Sequence, residues 1–236
     1  MMSRFHSPWQ IDSSQILSRR EIASVLDDLK RKGRRSVNSR LNLVIFRLAT
    51  CCGCRASEIA GLRLQDLKLS VEKPYIYVSK AIAKGAKARK IPAWWDRSTL
   101  DDLVSWKTER QSQGAQGSDY VVCSQAKRAF GKPLSRANVR NHFITACKVL
   151  GAERLIIGRE CFSQRSTKAG QFYTKHLTIH CGRHSFCSHA LAGGRSLVEV
   201  KEAAGHRNVA TSSIYLHVIG DDDGSVGDLF DFGQTG

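Results

Sequence analysis

No stretch of the 236-residue chain approaches the roughly 20 consecutive apolar residues of a membrane span. The opening MMSRFHSPWQIDSS has no apolar core of signal-peptide length. These two absences lead us to expect a cytoplasmic protein. None of the eight cysteines (51, 52, 54, 123, 147, 161, 181 and 187) forms a C-x-x-C pair, so disulfides are not expected and most of the thiols should be small buried groups. CCGC at 51–54 resembles half of a metal knuckle but has no matching second half. Acidic residues are scarce, 21 against 37 Lys and Arg, for a net charge of +16. Five of them, Asp221, Asp222, Asp223, Asp228 and Asp231, fall in a C-terminal stretch with no base. The body is therefore more basic than the total, which points to a polyanion partner, although a generic basic protein has the same balance.

The chain has no internal repeat and no low-complexity linker, and its length suits one large domain or two small ones. SRREIASVLDDL, 18–29, predicts a helix opened by a Ser18/Glu21 capping box, with Ile22, Val25, Leu26 and Leu29 on one face. KRKGRR follows, reading as a solvated loop or as a phosphate contact. RLNLVIFRLAT, 40–50, predicts a core helix, and GCRASEIAGLRLQDL a turn and a second helix. YIYV and RKIP flank a Gly85 loop and predict a hairpin with a long basic tip. Helices are expected from about Ser98 to Lys107, from Ser135, and from 177 onward, where Ser196 and Glu199 form a capping box and Gly205 a stop. Residues 151–176 give no clear pattern. The expectation is an α+β fold, mainly helical with a small antiparallel hairpin or sheet: a single domain over 14–219, an N-terminal arm over 1–13 and an acidic tail over 220–236.

HCGRH, 180–184, admits two chemistries. His180 and His184 are four apart, as are two zinc ligands on one helix face. His180 and Arg183 are three apart, which also shares a face and suits an anion clamp. Cleaving a phosphodiester needs cationic donors for the non-bridging oxygens, a nucleophile, and an acid for the leaving oxygen. Arg55, Arg183, His180 and His206 could supply donors, Lys84 the proton and Tyr215 the nucleophile. Each residue alone has a bland alternative: a core tyrosine, a surface arginine, a solvated lysine.

Taken in order, however, the segments resemble the tyrosine recombinase (phage integrase) family. Its S-E-x-x-x-L-x-x-x-D after an Arg is matched by Arg55, Ser57, Glu58, Leu62 and Asp66. Its K-G-x-K-x-R-x-V-P hairpin is matched by Lys84, Gly85, Lys87, Arg89, Ile91 and Pro92. H-x-x-R falls on His180 and Arg183, Gly205-His206 follows 23 residues after Arg183, and Tyr215 nine after His206. The resemblance, over roughly 15–218, implies a site-specific DNA recombinase of integrase or invertase type. In it Tyr215 attacks a phosphate to form a 3′-phosphotyrosyl link, and Arg55 and Arg183 hold the non-bridging oxygens. His180 assists proton transfer from Tyr215, His206 bonds the phosphate and Lys84 protonates the 5′ oxygen. Glu58 orients the site from behind and His184 packs there. No cofactor and no metal is implied.

DNA contacts are expected from Lys30, Arg31, Lys32, Arg34, Arg35, Lys87, Arg89, Lys90, Arg159, Arg165 and Lys168. The implied partners are double-stranded DNA with a recombination site, three further copies in a tetramer on synapsed DNA, and an accessory protein or second recombinase; the expected location is nucleoid-associated. A type IB topoisomerase, a non-catalytic DNA-binding regulator and a zinc hydrolase are the alternatives, the last lacking the Glu of H-E-x-x-H.

Three departures stand out. The family's T-G-L stretch is broken at Cys51 to Cys54. Gly182 stands where the family usually has Leu, which should remove a core contact and cost rigidity. Arg55 comes too early to leave room for the usual helical core-binding domain, so the resemblance is to the catalytic domain only. In the tail, Leu229, Phe230 and Phe232 form a short docking-like segment within a composition that favours disorder until bound.

Overall fold

Ser18 starts the first helix by the reciprocal bonding its sequence predicts. Its hydroxyl accepts from the Glu21 N–H, and the Glu21 carboxylate accepts from the Ser18 N–H at 2.7 Å. The structure, a computed structural model, describes residues 11, 13–85, 87–161, 173–206, 208 and 210–215. Helix α1 (Arg19–Gly33) buries Ile22, Val25, Leu26 and Leu29 and runs further than the sequence suggests, taking in Lys30, Arg31 and Lys32. Buried Asp28 accounts for the extension: it holds Arg31 and Lys32 at 2.6 Å each, one turn on, where cations also favour the helix dipole.

Helix α2 (Val37–Thr50) is buried on every side from Leu41 to Thr50, as befits the axis of the core. Its Arg47 is buried too, and satisfied: the guanidinium bonds Asp102 at 2.8 Å, Asp96 at 3.3 Å and the Ser98 hydroxyl at 2.6 Å. Helix α3 (Ala56–Gly61) is shorter than expected. The Asp66 carboxylate accepts the Arg63 N–H at 2.8 Å and caps a separate turn over Leu64–Asp66.

The expected hairpin is present as β2 (Tyr75–Val78) and β3 (Arg89–Pro92), preceded by a third strand, β1 (Leu67–Lys68), whose two residues are too few to show alternation. The antiparallel sheet runs β1-β2-β3, with Ile76 opposite Ile91 and Leu67 opposite Ile76. Helices α4 (Arg97–Ser112) and α5 (Arg136–Cys147) follow, α4 outrunning its predicted end, and α5 starting at the Ser135 cap. The unclear stretch after Gly151 holds a short α6 (Ala152–Leu155) and an antiparallel pair, β4 (Ile156–Cys161) and β5 (Tyr173–His176). Helix α7 (Ile179–Ala192) carries HCGRH, α8 (Leu197–Ala204) ends at Gly205 in the left-handed region (φ 68°), and α9 (Ala210–Ser213) precedes Tyr215. None of the helices among the described residues is long and apolar enough to cross a membrane.

Gly182 reverses its expected role. A Cβ there would stand 2.8 Å from Thr50 Oγ1, 3.1 Å from the Phe143 ring and 3.2 Å from the Ala49 backbone carbon. Glycine lets α7 press directly onto α2, so it secures the packing beneath Arg183 rather than loosening it. The segment before α1 is tied to the same body. The Ser185 hydroxyl accepts the Leu17 N–H at 2.8 Å, His189 Nε2 donates to the Leu17 carbonyl at 2.7 Å, and Arg154 donates to the Ser14 and Ile16 carbonyls.

Candidate active site

The site is built outward from Glu58, a carboxylate with no exposure. Because Arg55 is the N-cap of α3, Glu58 lies in the first turn and folds back: Oε2 accepts the Arg55 N–H at 2.8 Å, and Oε1 accepts from the Arg55 guanidinium at 2.9 Å. Arg89 on β3 donates to both oxygens at 2.8 Å. Burial alone would raise the Glu58 carboxyl; the bonds and charge of Arg89, then those of Arg55, more than offset it, and its pKa lies below the ordinary value.

This corrects one expectation. Arg89, expected among the DNA contacts, has a largely buried side chain that pairs with Glu58 and donates through Nε to the Ala203 carbonyl at 2.9 Å. Strand alternation carried the signal: Arg89 shares a face with buried Ile91, whereas Lys90 points the other way. Gly205 completes the fit, since a Cβ on it would come within 2.8 Å of Arg89 Cδ.

Arg183 is fixed from two sides. It donates to the Gly53 carbonyl at 2.6 Å and to the Ala204 carbonyl at the end of α8. Gly53 is required there twice over: φ is 63°, and a Cβ would lie 2.5 Å from Phe186 Cδ1. The broken T-G-L stretch thus keeps its glycine, while Cys51, Cys52 and Cys54 are buried thiols around it. Arg55 reaches the Gly205 carbonyl at 3.5 Å. One helix end therefore gathers Arg55, Arg89 and Arg183.

His206 follows immediately. Its Nδ1 lies 2.8 Å from the Ser212 hydroxyl and its ring stacks on Tyr215, centroids 6.4 Å apart and planes 9° apart. Burial, then the charges of Arg183, Arg55 and Arg89, push its pKa down to about 3, so the imidazole is neutral at physiological pH. Tyr215 is 2% exposed, with its hydroxyl 2.7 Å from His184 Nδ1. Burial and the neighbouring Cys187 thiol raise its pKa above the ordinary phenol value, against the opposing charge of Arg183.

His180 and Lys84 lie at the margin of this cluster. His180 is exposed on the first turn of α7; partial desolvation and the charges of Arg140, Arg183, Arg55 and Lys84 lower its pKa. Lys84 is exposed between β2 and β3 and borders a cleft of about 540 Å³ with Lys87, Lys90, Lys201 and His206. Lys30, Arg31, Lys32, Arg34 and Arg35 are exposed, and the last four border a second basic depression beside Ser36 and Ser39. Arg165, Lys168 and the acidic tail lie outside the described residues, and Arg159 is described only as backbone in β4. The spacing of motifs gave no notice of Ser212, Cys187, Arg140 or the His184–Tyr215 contact, because each depends on how distant elements pack.

A mainly helical domain with a small antiparallel sheet, carrying arginines, a neutral histidine and a tyrosine at one helix end, agrees with what comparison finds. The phage integrase family matches residues 15–220, and the chain belongs to that family, the tyrosine recombinases. A tyrosine recombinase of Pseudothermotoga lettingae is 26% identical over 186 residues, covering 78% of this chain and 52% of that protein. Tyrosine recombinase XerD of Bifidobacterium longum is 30% identical over 179 residues, 75% of this chain and 48% of its own length. The chain spans about half the length of these curated relatives. Among solved structures, XerA recombinase superposes with a TM-score of 0.62 at 18% identity, covering 92% of this chain and 62% of that one. XerH site-specific recombinase bound to palindromic difH substrate gives 0.60 at 21%, covering 85% and 48%. These two establish the fold.

Proposed function

We propose that the protein is a site-specific DNA strand transferase that cuts and rejoins DNA through a covalent link to Tyr215. The observation that carries this is the convergence of Arg55, Arg183 and His206 on one helix end, with the Tyr215 ring stacked on His206. Guanidinium forks match the non-bridging oxygens of a phosphodiester and stay charged throughout. In the tautomer whose Nδ1 accepts from the Ser212 hydroxyl, a neutral His206 carries its proton on Nε2 and offers it to the same phosphate. Tyr215 Oη attacks phosphorus and the 5′ oxygen leaves, taking a proton from Lys84 on the cleft wall. The resemblance assigns proton transfer from Tyr215 to His180, at the cluster's margin; the imidazole within hydrogen-bond distance of the hydroxyl is that of His184. Because the phosphotyrosyl diester keeps the bond energy, a second 5′ hydroxyl reverses the step, and strand exchange follows.

The catalytic unit spans 14–219, and Lys87, Lys90 and the 30–35 cluster track the DNA backbone. XerH is known in pre- and post-cleavage complexes with difH DNA, and lambda integrase as a tetramer on a Holliday junction. By that likeness the partner is a duplex carrying a recombination site, and the working assembly is a tetramer acting in the cytoplasm at the nucleoid. An accessory protein or second recombinase belongs to the same proposal. The test is covalent capture: the protein is incubated with a randomised library of nicked duplexes, denatured, and the attached strands are sequenced. Enrichment of one site, followed by joining of two duplexes that carry it, is expected. Adducts that relax supercoils without joining duplexes indicate topoisomerase chemistry, and enriched binding without any adduct indicates a DNA-binding regulator.

A further inference from the structure

The motif spacing gives His184 no task beyond packing behind the site. We propose that His184 is the group that receives the Tyr215 proton during strand cleavage and that holds the hydroxyl in place beforehand. The inference rests on the strand-transfer reading and assigns a step within it. The geometry is direct: Nδ1 lies 2.7 Å from the hydroxyl, and the two rings meet at 41° with centroids 5.8 Å apart. His180, by contrast, sits exposed one helical turn earlier, on the first turn of α7.

The surroundings favour proton transfer in this direction. The phenol has one proton to give and two neighbours on α7, His184 Nδ1 and the Cys187 thiol; an imidazole nitrogen is the stronger acceptor. The charged and titratable groups facing the pair are Arg183 and Cys187 from α7, His206 from beyond α8, and Arg55 from α3. None of these competes for the proton. The arginines are cations, the Cys187 thiol is pushed up to about 11 by burial, and His206 is already turned to Ser212.

The step balances. Phenolic O–H breaks as Tyr215 Oη bonds phosphorus, and its proton passes to His184 Nδ1. The P–O5′ bond breaks, and the 5′ oxygen takes a proton from Lys84. On religation both protons return. With an attacking phenol of ordinary pKa about 10, unassisted ionisation is rare at neutral pH. A base in contact with the hydroxyl removes that obstacle.

The experiment is single-turnover cleavage of the captured site across pH, comparing wild type with H184N, H184F and H180N. The asparagine amide oxygen stands close to where Nδ1 stood, so H184N keeps the hydrogen bond but cannot hold a proton. The expected result is a fall on the order of 10²-fold for H184N, with loss of the low-pH limb of the wild-type profile. H180N keeps that limb. H184F loses both bond and base; if it does not fold, H184N carries the test alone. H184N cleaving within about threefold of wild type with its low-pH limb intact overturns the assignment. Absence of any adduct from wild-type protein sinks the strand-transfer reading itself, a separate outcome.

Discussion

Glu58 and Arg89 form a two-pronged ion pair across 31 residues, each carboxylate oxygen receiving one guanidinium nitrogen at 2.8 Å. The pair is buried, and Arg55 shares the same carboxylate. Arg89→Ala removes two bonds from this buried carboxylate and leaves Arg55 as its remaining cation, so it should destabilise the fold by about 1.5–3 kcal/mol and loosen the carboxylate that orients Arg55. Chemical denaturation checks the first effect. Salt-insensitive loss of cleavage on the captured site checks the second, since a lost DNA contact would instead weaken binding in a salt-dependent way.

The same pair sets an acid limit. The Glu58 carboxyl titrates below its ordinary 4.5 in the folded protein, so its contribution is present above that pH and is lost as pH falls through the folded value. His206 acts in the same direction over a higher window. Its pKa drops from 6.5 to about 3 on folding, so between those limits the unfolded chain binds a proton that the folded one does not. Stability should therefore decline steadily from about pH 6.5 downward. His206→Gln should flatten the decline in that window and leave the later, Glu58-dependent loss. Denaturation midpoints measured at a series of pH values decide it; equal slopes for the two proteins would contradict the assignment.

Gly182→Leu restores the residue typical of the family, yet it should harm this protein. A side chain there meets Thr50, the Phe143 ring and the α2 backbone, and backbone cannot move aside cheaply. A loss of about 1–3 kcal/mol is expected. Gly182→Ala should lose less, because only one carbon must be fitted and alanine favours the helix. Thermal melts of both variants test the order.

Local spacing made a good part of this molecule legible. The Ser18 and Ser196 caps, the helix start at Ser135, the Gly205 stop, the hairpin and the α+β class all depend on contacts within a few residues, and these stand where the sequence suggested. The motif residues Arg55, Arg183, His206 and Tyr215 come together at one helix end, with His180 and Lys84 beside them. What escaped is long-range. The partner of Arg183 is 130 residues away at Gly53, and that of His189 is 172 away at Leu17. Arg89 read as a surface base because nothing local shows that Glu58 waits behind it. Gly182 read as a defect because a close helix approach leaves no trace in one helix's own periodicity. Strand β1 is too short to alternate, and the stretch after Gly151 has no period to detect.

Strand transfer of this kind requires Tyr215 as the nucleophile, and mapping the attachment point decides whether it is. Protein trapped on the captured DNA site is digested with nuclease and protease, and the modified peptide is identified by mass spectrometry. A nucleotide on Tyr215, a free 5′ hydroxyl on the departing strand, and no adduct from Tyr215→Phe are expected. A nucleotide on any other side chain, or an adduct that survives Tyr215→Phe, would contradict that role.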